Sequence, residues 1–238
     1  AEGRQGSYEA IEVAPSDLAR ALGEAHAAGV VGLNLTLPHK ESGLALAVER
    51  TARARDVGAA NTLVRADAGW RAHNTDVEGL EEALRRCFPH EPWRGRCCVV
   101  GAGGAARAAV AALEDLGAAA VVVLARRPER ADWARARGAE VGGLEARLDG
   151  VELLLQATPL GLDPADPSPV DPHALAEGVA VMDLCYGREP SRLLRARAGR
   201  GPVADGRAML VAQAARAYSL WFGGPSPHDA MEAALDAA

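Results

Sequence analysis

The chain has 238 residues, enough for one large domain or for two of about 100 to 140 residues. Hydrophobic residues make up 49% and aromatics only 4%, so it can build cores, mostly from Ala, Val and Leu. A formal charge of −6, with scattered arginines that have acids nearby, argues against a nucleic-acid or anionic-membrane surface, and no apolar run reaches the length of a membrane span.

Ser16-Asp17 can cap a helix running to about Ala28, and Val30 to Leu37 then alternates like a strand. Pro38 suits the first turn of a new helix, expected to run toward Arg50. Asn61 to Val64 and Trp70 to His73 flank Asp67-Ala68-Gly69, a hairpin signal. Thr75-Asp76-Val77-Glu78 has capping-box form and opens a helix to about Cys87. Pro89 to Gly95 reads as a connector.

Beyond it the texture changes. Cys97 to Val100, Ala119 to Ala125, Val151 to Leu155 and Val179 to Leu184 are continuous apolar runs. Helices are expected from about Gly104 to Leu116 and from about Glu129 to Arg137. Strands apolar on both faces that alternate with helices indicate a parallel sheet. Pro159 to Pro172 holds five prolines and reads as a long loop, and helices from about Gly206 to Phe222 and His228 to Ala237 close the chain. The fold class is therefore α/β, with a parallel sheet covered by helices on each side.

Cys87, Cys97, Cys98 and Cys185 lack CxxC spacing and read as reduced core residues of a cytoplasmic protein. No signal peptide is expected, and the six histidines have no metal-binding spacing, so no metal is expected.

Of 26 basic residues, 25 are Arg and one is Lys40. A lysine left in that background suggests a task Arg cannot perform, because Lys can release a proton at accessible pH. A chance surface lysine is the plain alternative. Asp76 is the natural partner, able to orient Lys40 and a substrate hydroxyl for proton transfer, although it also fits a helix cap.

Gly101-Ala102-Gly103-Gly104-Ala105-Ala106 follows a strand and opens a helix, matching GxGxxG/A with Ala106 in the third position. The first glycine permits the tight turn, the second lets backbone approach a pyrophosphate, and the helix start attracts phosphate charge. Taken alone, the stretch also fits a glycine turn that only allows packing. At the end of the next strand, Ala125-Arg126-Arg127-Pro128-Glu129-Arg130 has no acid for a ribose hydroxyl, whereas Arg126, Arg127 and Arg130 can surround a 2′-phosphate. That predicts NADP, against the alternative of an ordinary basic helix start.

Taken together, Asn-Leu-Thr-Leu-Pro-His-Lys (34–40), Ala-Ala-Asn-Thr-Leu (59–63), His-Asn-Thr-Asp (73–76), Gly-Ala-Gly-Gly-Ala-Ala-Arg (101–107), Ala-Thr-Pro-Leu-Gly (157–161) and Ala-Asp-Gly-Arg-Ala-Met-Leu-Val-Ala-Gln (204–213) resemble the shikimate dehydrogenase family, in order and spacing along nearly the whole chain. The only lysine and all three asparagines fall inside these motifs. The resemblance implies an enzyme of aromatic amino-acid biosynthesis that reduces 3-dehydroshikimate to shikimate with NADPH. It makes Lys40 and Asp76 the catalytic pair and gives Thr36, Asn61, Tyr186 and Gln213 to the substrate. Gly101, Gly103, Gly104, Ala105, Arg126, Arg127, Arg130, Thr158, Leu184 and Gly206 would line the cofactor.

By the same likeness, the fold is a Rossmann-type doubly wound parallel sheet plus a smaller α/β substrate domain, with residues 1–75 and 207–238 forming the discontinuous substrate-binding domain and 76–206 the NADP-binding domain. Partners are expected to be a small-molecule substrate, without nucleic acid or membrane, and the protein a monomer or homodimer. Three departures stand out. The family begins with a strand and a Ser-x-Ser carboxylate loop, absent before Tyr8, so an N-terminal segment is expected to be missing. Ala125 and Arg127 replace the usual Asn and Thr, and Gln156 replaces Asn. The alternatives are a catalytically impaired NADP-binding paralogue and a quinate/shikimate dehydrogenase, usually NAD-preferring.

Overall fold

The computed structural model describes residues 6–163 and 165–236. The expectation about the start of the chain lies outside the described residues. The chain divides into two compact units, Ala1–Thr75 with Val211–Ala238, and Asp76–Leu210.

The first unit begins with a short 3-10 turn, Pro15–Asp17, leading into α1 (Leu18–Ala27). Strand β1 (Gly32–Asn34), α2 (Lys40–Leu46), β2 (Glu49–Arg50), α3 (Ala52–Val57) and the hairpin β3 (Thr62–Ala66) and β4 (Gly69–His73) follow. The sheet order is β1-β3-β4-β2, antiparallel except for the parallel β2/β4 pair. Trp70 and Ala72 on β4 face inward while Arg71 between them is exposed, the period-2 pattern of a half-buried strand. Leu18 and Leu22, one turn apart on α1, meet Leu35, Leu63 and Trp70 in the core, and the Trp70 indole donates to the Leu22 carbonyl at 3.0 Å.

The expected strand over Val30 to Leu37 is paired regularly only at Gly32–Asn34. Pro38 has no N–H for a ladder, and the chain turns there into α2. That helix stops at Leu46, short of the expected Arg50. Ala47 is extended (φ −69°, ψ 137°), and Val48 leads into the short β2, which α3 follows unforeseen.

The second unit opens with α4 (Asp76–Cys87) and a 3-10 turn at Pro92–Arg94. β5 (Arg96–Val100), α5 (Gly104–Asp115), β6 (Ala120–Leu124), α6 (Asp132–Arg135), β7 (Glu140–Gly142), β8 (Val151–Gln156), β9 (Ala180–Asp183), α7 (Arg192–Arg197) and β10 (Val203–Ala204) complete it. All six strands are parallel in the order β10-β9-β8-β5-β6-β7. Numbered within this unit, that is 6-5-4-1-2-3, the doubly wound order of dinucleotide-binding sheets. Strands β5, β8 and β9 are buried along almost their whole length, as a sheet covered on both faces requires. The strand order reverses between β5 and β8, so their C-terminal ends flank the crevice where such sheets bind ligands.

The chain ends with α8 (Arg207–Phe222), which carries it back into the first unit, and α9 (His228–Asp236). There Trp221 packs against β1: a Cβ at Gly32 would sit 1.9 Å from the indole Nε1, which donates to the Leu63 carbonyl at 3.0 Å. Among the described residues no helix is long and apolar enough to cross a membrane, and no group of three or more His, Cys, Asp or Glu could hold a metal.

Candidate active site

In the first unit the asparagines collect into one polar network. Asn61 is buried, and its amide Nδ2 donates to Thr75 Oγ1 at 2.9 Å and to Gln213 Oε1 at 3.1 Å. Its Oδ1 accepts from the Thr75 backbone N–H at 2.7 Å, and Thr75 Oγ1 donates to the Gln213 carbonyl at 3.1 Å. Asn34 Nδ2 reaches the Asn61 carbonyl (3.3 Å) and Thr62 Oγ1 (3.2 Å), and Tyr8 donates its hydroxyl to Asn34 Oδ1 at 2.9 Å. Asn74 donates to the Ala59 carbonyl at 2.9 Å. Both amide hydrogens of Asn61 are thus spent on protein acceptors, and the residue fixes Thr75 and Gln213 against each other. Sequence reasoning named Asn61 and Gln213. It missed Tyr8, Asn34, Thr62 and Thr75 as members of the network, although all but Tyr8 stand inside the motifs.

Lys40 is the first residue of α2 and is half-buried, and its carbonyl accepts from the Ala60 N–H at 2.8 Å. That bond ties the 34–40 motif to the 59–63 motif. Just ahead of it, His39 bonds the Val13 carbonyl through Nε2 at 2.8 Å and accepts the Gly43 N–H through its own carbonyl at 2.7 Å. Thr36 is exposed, and its carbonyl takes the His39 N–H at 2.8 Å. In the second unit Asp76 is buried and begins α4, directly after Thr75 in the chain.

The glycine turn of the second unit follows β5. Gly101 has φ +131°, where L side chains are strained, and a Cβ there would stand 2.9 Å from the Ala157 carbonyl oxygen beyond β8. Gly103 is the N-cap of α5, extended and without a side-chain cap, and a Cβ placed on it meets nothing within 4 Å. The first-turn N–H groups at Gly104 and Ala105 therefore receive no side-chain oxygen from their cap, and the space beside Gly103 is open. This is a cradle that fits a pyrophosphate.

Arg126, Arg127 and Arg130 are exposed at the end of β6 and, among the described residues, make no ion pair with an acid. Many of the chain's other arginines are paired, such as Arg96 with Glu140 and Arg137 with Glu114. The three guanidinium groups thus present their donors to solvent beside the glycine cradle's own strand neighbour, as recognition of a 2′-phosphate requires.

Behind the cradle lies a buried polar hub. Gln156 Nε2 donates to the Leu160 carbonyl (2.6 Å), the Thr158 carbonyl (3.2 Å) and Asp183 Oδ1 (3.2 Å). Asp183 Oδ1 also accepts the Cys185 N–H at 3.0 Å, and Oδ2 accepts the Ser191 hydroxyl at 2.6 Å. Burial pushes the Asp183 carboxyl above its ordinary range, against the opposing pull of the Ser191, Cys185 and Gln156 donors. Burial also pushes the Cys185 thiol to about 12, with the Asp183 charge adding to it. The hub holds together the loops that leave β8 and β9, which carry Thr158, Leu184 and Tyr186. The longer Gln156 side chain, where the family resemblance led to Asn, spans these partners. Leu184 is half-buried with its N–H on the Gln156 carbonyl at 2.9 Å, and Tyr186 is 42% exposed. Gly206 donates to the Cys185 carbonyl at 3.1 Å, and a Cβ there would fall 2.2 Å from the Leu184 carbonyl oxygen.

The chain is similar to known proteins along its length. Residues 1–63 match the model of the shikimate dehydrogenase substrate binding domain, and residues 206–235 match that of the shikimate 5′-dehydrogenase C-terminal domain. A shikimate dehydrogenase (NADP(+)) of Halobacterium salinarum is 41% identical over 246 residues, covering 99% of this chain and 89% of the relative. The crystal structure of shikimate 5-dehydrogenase from Thermus thermophilus, in complex with NADP(H) and shikimate, superposes with a TM-score of 0.87 at 36% identity, over 99% of this chain and 89% of that one. Quinate dehydrogenase from Corynebacterium glutamicum, in complex with NAD, superposes with a TM-score of 0.81 at 30% identity, over 93% of this chain and 83% of that one. With similarity of this degree running the length of both units, the chain belongs to the shikimate dehydrogenase family.

Proposed function

We propose that this chain reduces 3-dehydroshikimate to shikimate with NADPH, in aromatic amino-acid biosynthesis in the cytoplasm. The observation that carries the substrate side is the Asn61 amide, which joins Thr75 and Gln213 across 14 and 152 residues of sequence. It fixes hydrogen-bonding groups of a kind that suits a small polyhydroxy ring. NADPH, when bound, supplies hydride to the ring carbonyl carbon. The chain's own residues do the rest. Lys40 Nζ donates its proton to the carbonyl oxygen as negative charge develops there, and is reprotonated from solvent. Asp76 orients the Lys40 ammonium and a ring hydroxyl. Thr36, Tyr186 and Gln213 hold the substrate's hydroxyl and carboxylate groups, and Asn61 serves the substrate by holding Gln213 in place through its amide. The glycine cradle at Gly101, Gly103, Gly104 and Ala105 receives the pyrophosphate, Arg126, Arg127 and Arg130 the 2′-phosphate, and Thr158, Leu184 and Gly206 line the remainder. In this reading the substrate-binding part comprises residues 1–75 and 207–238, and the NADP-binding part residues 76–206. The cytoplasmic assignment is supported by four free cysteines.

Lys40→Arg tests the proton-transfer role, because it keeps the charge and removes a donor able to release its proton near neutral pH. The expected result is a fall in kcat of about 100- to 10,000-fold with a much smaller change in KM, since the lost interaction belongs to the transition state. A variant that retains most of its turnover returns Lys40 to the surface.

A further inference from the structure

We propose that Trp133 is a positioning residue for the dinucleotide, acting through the peptide between Ala102 and Gly103; this rests on the NADP reading above. Trp133 lies on α6, half-buried, and its indole Nε1 donates to the Ala102 carbonyl at 3.2 Å. A trans peptide is planar, with its C=O and N–H on opposite edges. Holding the Ala102 carbonyl toward Trp133 therefore turns the Gly103 N–H away from it. That N–H belongs to the N-cap of α5, where a pyrophosphate would accept it, and the space beside Gly103 is open.

The same side chain has a second attachment. The Arg107 guanidinium carbon lies 4.8 Å from the centroid of the Trp133 ring, a cation–π stack that joins α5 to α6. Trp133 follows Arg130 by three residues, across the 3-10 turn Pro128–Ala131. Its anchoring thus fixes where the exposed Arg126, Arg127 and Arg130 segment stands relative to the glycine turn. One indole couples the part of the site that takes the pyrophosphate, common to both dinucleotides, to the part that takes the 2′-phosphate, present only in NADP.

The two attachments separate by substitution. Trp133→Phe removes the indole N–H and keeps a ring for Arg107 to stack on. Trp133→Leu removes both. Calorimetric titration of each variant with NADP+ and with NAD+ reads the result, alongside thermal unfolding without ligand. Trp133→Phe is expected to weaken both dinucleotides about three- to tenfold, leaving their ratio unchanged. Trp133→Leu is expected to weaken NADP+ further than NAD+, so that the preference itself shrinks. A merely structural role would lower the unfolding temperature without moving the ratio. Unchanged affinities in both variants overturn the inference. If the unsubstituted protein binds neither dinucleotide, the cofactor reading beneath it falls instead.

Discussion

Side-chain chemistry at single positions carries most of what was legible in advance. Lys40 stood out because Arg fills the other 25 basic positions, and the three asparagines because all of them fall inside the motifs. Roles that depend on contacts across the fold were not legible. Tyr8 reaches Asn34 across 26 residues, and no periodicity marks that pairing. Trp133 reads in sequence as an ordinary helix residue; only the Ala102 carbonyl opposite its indole gives it a task. The arginines at the end of β6 stood out because no acid accompanies them at the strand end. Their prediction is specific. Replacing Arg126 and Arg130 together by Ala removes charge-assisted donors worth about 1.5–3 kcal/mol each when they bind a phosphate. Affinity for NADP+ is expected to fall by at least tenfold while affinity for NAD+ stays nearly constant, measured by titration. An equal loss for both dinucleotides would mean that these arginines do not read the 2′-phosphate.

Secondary elements divide by length into those that sequence pattern reveals and those it does not. The long elements α4, α5 and α8, and the apolar strands β5, β6, β8 and β9, were expected close to where they lie. The strands β2, β7 and β10, of two or three residues each, were not foreseen, because so few residues show no period and their place at a sheet edge or end is decided by the neighbouring strand. The short helices α3 and α7 escaped for a similar reason, although Thr51 and Ser191 cap them with side-chain oxygens accepting from Ala54 and Leu194. Ser191 has a double duty, since its hydroxyl also donates to Asp183. The hub around Asp183 joins the β8 and β9 ends through a carboxyl whose proton release burial opposes. A folded-state pKa raised above the unfolded one gives a contribution to stability that is present below the unfolded carboxylate range, near 4, and is lost as pH rises through the folded value. Asp183→Asn removes that titration. The stability difference between the unsubstituted protein and the variant is expected to move in favour of the unsubstituted protein as pH falls from neutral toward about 4. Denaturant midpoints at several pH values check this, and a difference independent of pH would show that Asp183 titrates alike folded and unfolded.

At the scale of the whole molecule, two units divide the labour that the motifs imply. The parallel sheet, with its 6-5-4-1-2-3 order, was readable as a class from alternating apolar strands and helices, and its switch point puts the glycine turn and the Ala157-Thr158 segment at neighbouring strand ends. The first unit was less readable as a fold, because its sheet mixes one parallel pair into antiparallel ladders and draws α8 from the far end of the chain. Membership of the family sets the reaction class, and in the proposed reading the arginines and the Asn61 network set the choice within it. That choice distinguishes an NADP-dependent shikimate enzyme from an NAD-using quinate enzyme on a similar fold. The direct measurement is the initial rate of nicotinamide reduction by the purified chain, with shikimate or quinate as substrate and NADP+ or NAD+ as oxidant. The account predicts shikimate-dependent reduction of NADP+, with kcat/KM at least about tenfold above that for NAD+ or for quinate, equivalent to about 1.4 kcal/mol of transition-state discrimination. Reduction of NAD+ at an equal or greater rate, a preference for quinate, or no shikimate-dependent reduction would contradict it.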